Sequence, residues 1–219
     1  MESKGGIYTT AFGGGATGGS CGTFGCGTIF KLIPPANGQT AWTGQTLYAF
    51  QPGTDGALPL AGVIAGKDNV LYGTTYSGGL NGHGTVFAAF PPPKGQTAWK
   101  EQILWNFTGG ADGAAPLAPV ILDNTGALYG TAAFGGNPGG LCAGLNGCGT
   151  IYKLSLQGGV WTQTTLWDFS GPDGASPTGA LAPDNTGNLY GTAYNGGPNA
   201  CSGNGCGVVF SLAGTGYSP

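Results

Sequence analysis

Charge is what this chain has least of. Charged residues make up 7% of its 219 residues, against roughly a quarter in ordinary soluble domains. Arginine is absent, the net charge is -3, and the six lysines (Lys4, Lys31, Lys67, Lys94, Lys100 and Lys153) are scattered. A nucleic-acid partner needs a clustered basic surface, so that class is excluded. Long apolar runs are missing too. "ALPLAGVIAG" is among the longest and carries Pro59, short of the roughly 18 residues of a membrane span. "MESKGGIYTT" has no apolar signal-peptide core, so the chain is either not exported or seen after processing. No window shows a 3.6-residue apolar period with helix caps, which leaves no expected helix.

What is present is glycine, proline and aromatic rings. The chain holds 48 Gly and 15 Pro, yet also five Trp, nine Tyr and ten Phe. Disordered chains lack such aromatic content. The composition is that of a packed β protein with many tight turns.

Internal repetition is the strongest signal. "IYTTAFGGG", "LYGTTYSGG", "LYGTAAFGG" and "LYGTAYNGG" recur around Tyr8, Tyr72, Tyr129 and Tyr190. Each is followed by a "GTIFKL"-like segment, from Gly27, Gly84, Gly149 and Gly207. "TLYAF", "ILWNF" and "TLWDF" end at Phe50, Phe107 and Phe169, and DGA segments start at Asp55, Asp112 and Asp173. Each anchor is short, β-branched or aromatic, and bounded by turn residues, so each reads as a strand. Four strands per repeat of about 60 residues is the pattern of a propeller blade. In that reading strand A is the P-x-A-x-x segment, B is LYGT, C is GTVF and D is LWNF. "DNTG", at Asp123 to Gly126 and Asp184 to Gly187, turns A into B.

The expected fold is therefore all-β: a β-propeller-like repeat of about four four-stranded antiparallel blades in one domain over residues 1–219. The blades fall at about 7–50, 57–107, 115–169 and 176–212. The first lacks strand A and the last lacks strand D, so either four blades close imperfectly or edges stay open to another chain. The pattern DGAxPxAxLxxDxxGxLYGTxxxGGxxxxGTVFxL resembles the Gloeo/Verruco ("GloVer") tandem repeat of bacterial exported proteins, over nearly the whole chain. The resemblance implies an exported, surface-associated, propeller-like protein and supplies no active site.

The cysteines form three local pairs, Cys21 with Cys26, Cys142 with Cys148 and Cys201 with Cys206, each in the Gly-rich loop between strands B and C. Equivalent placement and an even count favour three loop-closing disulfides over zinc ligands or free thiols, and so an oxidising, extracellular or cell-surface location. The second repeat has "GLNGHGT" where the third has "GLNGCGT". His83 thus occupies a vacated cysteine position in a shorter loop, and reads as a surface loop residue rather than a catalyst.

For catalysis, a triad would need His83, the only histidine. Glu101 and Asp168 are the only acids in or beside expected strands, and they sit at different blade positions. The lone carboxylates of the DGA and DNTG turns suit turns better than calcium. No enzyme activity, metal or cofactor is expected. Phe12, Tyr76 and Tyr194 close strand B at matching positions, with Phe134 one residue later. They are candidate ligand-binding aromatics for a sugar, set against a role in packing. Trp42, Trp99 and Trp161 lie on C-to-D connections and should cap the core edge. Asn106 opens the sequon "NFT", within a strand. The first expectation for function is a non-enzymatic structural or adhesive repeat that self-associates head to tail into a ring or filament. The second is a carbohydrate-binding module; a hydrolase or lyase ranks below both.

Overall fold

A computed structural model describes residues 5–197 and 205–219. Among them there is no α-helix, only three short 3-10 turns, and the fold is all-β. Five hydrogen-bonded sheets fall into four antiparallel repeat units along the chain, the second unit comprising two of them; each unit is called a sheet below. The first holds β1 (Ile7–Ala11), β2 (Thr28–Ile33) and β3 (Thr43–Ala49) in that order. In the second, β4 (Gly56–Ala57) pairs with β7 (Ser77–Gly78), while β5 (Ile64–Ala65), β6 (Leu71–Thr75), β8 (Thr85–Phe90) and β9 (Lys100–Asn106) lie side by side. The third is β10 (Ile121–Leu122), β11 (Leu128–Ala132), β12 (Thr150–Gln157) and β13 (Val160–Asp168). In the fourth, β14 (Ala175–Pro177) and β15 (Ala182–Pro183) share one edge of β16 (Leu189–Asn195), and β17 (Val208–Leu212) pairs with β16 as well.

Strand A differs from the sequence reading. Beyond its proline the P-x-A segment is not a strand, and only Pro177 is itself a strand residue, at the end of β14. Pairing occurs on either side of it, at β4 and β5 in the second repeat and at β14 and β15 in the fourth. Proline lacks an N–H for the ladder. The residue before it, Leu58, Ala115 or Ser176, has φ between 51° and 59°, a left-handed conformation that kinks the chain at this point. In the first three sheets strand C meets strand D with a β-bulge at one shared position, after Ile29, Val86 and Ile151. Such a bulge twists the strand locally.

The DNTG turns are built as expected. Asp123 Oδ1 accepts from the N–H groups of Thr125 and Ala127, both at 2.9 Å. Asp184 does the same for Thr186 and Asn188, at 2.8 and 3.0 Å. Gly126 and Gly187 take φ of 88° and 87°, which glycine adopts without a Cβ penalty.

Three apolar cores join the sheets in chain order. The first gathers Ile29 and Phe50 with Leu71 and Phe87. The second gathers Val86 and Phe107 with Leu128 and Tyr152. The third gathers Ile151 and Phe169 with Leu189, against which Phe210 packs. Each carries an edge-to-face aromatic pair at the same place: Phe50 with Phe87 at 5.2 Å, Phe107 with Tyr152 at 5.1 Å and Phe169 with Phe210 at 5.1 Å. This geometry sets a ring edge on a ring face, the favoured aromatic contact. Tyr152 is the odd member, since its counterparts are Phe30, Phe87 and Phe210. Its hydroxyl is buried without a hydrogen-bond partner, and burial pushes its pKa up. Lys31 and Lys153 lie along strand C with their ammonium groups 5.1 and 5.0 Å from the ring centroids of Tyr8 and Tyr129, a cation–π arrangement.

Candidate functional site

The junction between consecutive sheets is built from the same atoms three times. The carbonyls of Cys26, His83 and Cys148 accept from the N–H groups of Leu58, Ala115 and Ser176, each at 2.8 Å. One residue on, Gly27, Gly84 and Gly149 lie against the rings of Pro59, Pro116 and Pro177, where an added Cβ would collide. Thr10, Thr74 and Thr131 donate through Oγ1 to the carbonyls of Ala61, Ala118 and Gly179, at 2.8, 3.0 and 3.4 Å. The position shared by the cysteines and His83 therefore has a backbone role in the junction. This is why a histidine can stand there.

The DGA aspartates are spent on architecture. Asp55 accepts from the Tyr48 hydroxyl at 2.9 Å, Asp112 from the Trp105 indole at 3.1 Å and Asp173 from the Trp167 indole at 2.8 Å. Each also holds the backbone of its own turn, at Gln51, Thr108 and Ser170. Burial raises the pKa of Asp173, but the Ser170 and Trp167 donors outweigh it and hold the carboxyl below its ordinary value.

Cys21–Cys26 and Cys142–Cys148 are disulfides. All four residues are buried and belong to the first and third cores, so these bridges are packing elements as well as loop closures. Cys206 is disulfide-bonded; Cys201, its expected partner, lies outside the described residues. Among the described residues no cluster of three or more His, Cys, Asp or Glu could hold a metal ion.

The candidate aromatics part company. Phe12, in the bend after β1, and Tyr194, in β16, are exposed, and Tyr76 is half-buried. Tyr76 instead shares a cleft with His83 and with Phe134 of the next repeat. The cleft measures about 550 Å³, lies between the second and third sheets, and is also lined by Ser77 and Asn146. Gly82, Gly109, Ala114 and Ala115 complete its lining. The imidazole of His83 sits against Gly109 so closely that any side chain there would strike the ring. Ser77 Oγ is buried and has no hydrogen-bond partner. Sequence reasoning missed the meeting of Tyr76 with Phe134. The signal available was Phe134 falling out of phase with its counterparts.

Glu101 and Asp168 stay apart. Asp168 accepts from Asn137 N–H at 2.7 Å. Glu101 faces Asp55 instead, and its pKa is raised to about 8, by burial first and then by the charge and hydrogen bond of Asp55. Trp99 packs on Tyr8 at 6.2 Å and Trp161 packs against the second core, as expected of core-edge residues, whereas Trp42 is exposed. The Asn106 carboxamide accepts from Leu80 N–H at 2.8 Å, so the sequon side chain is engaged by the loop between strands B and C.

Four like sheets joined through repeated junctions define a tandem-repeat β protein. The Gloeobacter/Verrucomicrobia repeat family matches residues 1–218, and the chain belongs to that family. No curated protein matches the chain.

Proposed function

We propose that the protein is an exported, non-enzymatic structural or adhesive repeat module that associates head to tail through the two end faces of its stack. The observation that carries this reading is a contrast among equivalent residues. Ile29, Val86 and Ile151 are at most 1% exposed because the next sheet covers them, whereas their fourth counterpart, Val209, is 82% exposed. At the other end Leu71, Leu128 and Leu189 are fully buried, while Ile7, in the same position, is 51% exposed. The two uncovered faces are the two halves of a junction the chain already makes three times. In those junctions Ile29 shares a core with Phe87 and Val86 with Tyr152. A second copy would set Phe30 of its first sheet against Val209 in the same way. Weak charge repulsion favours such close approach.

Contacts between two different faces build rings or open filaments. A propeller-like ring of blades and an extended filament are the two closures this reading allows. The extracellular or cell-surface location is supported by two buried disulfides, which persist in oxidising surroundings. No helix among the described residues is long and apolar enough to cross a membrane. Light scattering and negative-stain microscopy test the reading: the protein should form concentration-dependent assemblies, and Val209→Lys should shift them to monomer. A wild-type protein that stays monomeric at every concentration and salt would overturn it.

A further inference from the structure

The cleft between the second and third sheets follows from a loop difference. The connection from strand B to strand C spans residues 12–27 in the first repeat and 133–149 in the third, each with a 3-10 turn and a disulfide. In the second repeat it spans only residues 76–84, with His83 at the cysteine position and no disulfide. The cleft flanks this short loop, with Tyr76 and His83 on its second-repeat side and Phe134 and Asn146 on its third-repeat side.

We propose that this cleft binds a neutral sugar unit. Its volume of about 550 Å³ lies within the range of about 300–1,000 Å³ common to small-ligand pockets. Tyr76 and Phe134 both line it, and aromatic rings pack against the C–H surface of a pyranose. Asn146 and His83 supply donors and acceptors. No lysine, aspartate or glutamate lines the cleft, which selects against a charged ligand. Side chains that donate and accept, in one cleft with two aromatic residues, are the complement of a carbohydrate. The site is distinct from the end faces, so it stands whether or not copies associate.

The test uses the Val209→Lys chain, so that sugar binding and association are read separately. The probes are the methyl glycosides of glucose, galactose, mannose and N-acetylglucosamine, with cellobiose, lactose and chitobiose. Ligand-observed NMR and amide shift mapping should find at least one that binds, with perturbations at residues 76–84, 109–115 and 134. Tyr76→Ala and Phe134→Ala should each weaken binding by about three- to tenfold, and Tyr194→Ala should leave it unchanged. Asn146→Gly keeps the left-handed backbone of that residue, φ 59°, and carries the test if an aromatic variant fails to fold. No binding by any probe would overturn the proposal, as would binding that these variants leave intact.

Discussion

Glu101 stands where the third repeat has Gln163, and the two side chains differ in little but charge. Gln163 donates to the Asp112 carbonyl at 3.3 Å, whereas Glu101 faces the Asp55 carboxylate with one oxygen buried and unpartnered. Folded Glu101 keeps its proton to about pH 8, against an ordinary value of 4.5. Between those values the folded state binds more protons than the unfolded state, so stability falls as pH rises through this window. Glu101→Gln should flatten that slope. Thermal melts should show Tm higher by about 2–4 °C at pH 8 and little changed near pH 4.5. The Glu101–Asp55 contact was not legible in the sequence, because it depends on how strand D packs beside the turn that opens its own repeat. The His83 position was legible, since four loops align residue for residue. Its partnership with Tyr76 and Phe134 was not, because those rings come from different repeats.

Among the elements, strands B, C and D were readable from their β-branched and aromatic runs, while strand A was misplaced onto the proline segment. Periodicity gives no sign of the left-handed residue at Leu58, Ala115 and Ser176, and two of those three are apolar residues that fit a strand pattern. The paired cysteines showed which loops are closed, though not that the bridges sit inside the cores. Replacing Cys142 and Cys148 together with serine should cost about 2 kcal/mol from loop closure alone, with more from placing hydroxyls in an apolar cluster. Urea unfolding of the double variant, beside wild type with and without dithiothreitol, measures it. Tm unchanged by reduction would mean that the 3-10 turn Gly140–Leu145 holds without its bridge.

At the scale of the molecule, stability is a sum over neighbouring sheets, because each core joins only consecutive repeats. The second and third sheets are covered on both faces, the first and fourth on one. Hydrogen exchange should therefore protect amides of β8 and β12 most and those of β1 and β17 least, a gradient that mass spectrometry of peptic fragments resolves. Equal protection across all four sheets would point to a closed ring, in which no sheet is terminal. Repeat number and strand content could be read from the chain because motifs recur. Closure could not, since it depends on the small rotation from each sheet to the next.

The lysines over Tyr8 and Tyr129 have a consequence outside folding. Trypsin-like proteases cut only after lysine or arginine, and this chain offers six lysines and no arginine. Lys31, Lys153 and Lys100 are held in strands, and Lys4 lies outside the described residues. That leaves Lys67, in a short 3-10 turn, and Lys94, in the connection from β8 to β9. Both belong to the second sheet, so digestion would nick the stack there and leave the other sheets whole. In a protease-rich medium such a chain persists longer than its glycine-rich loops suggest.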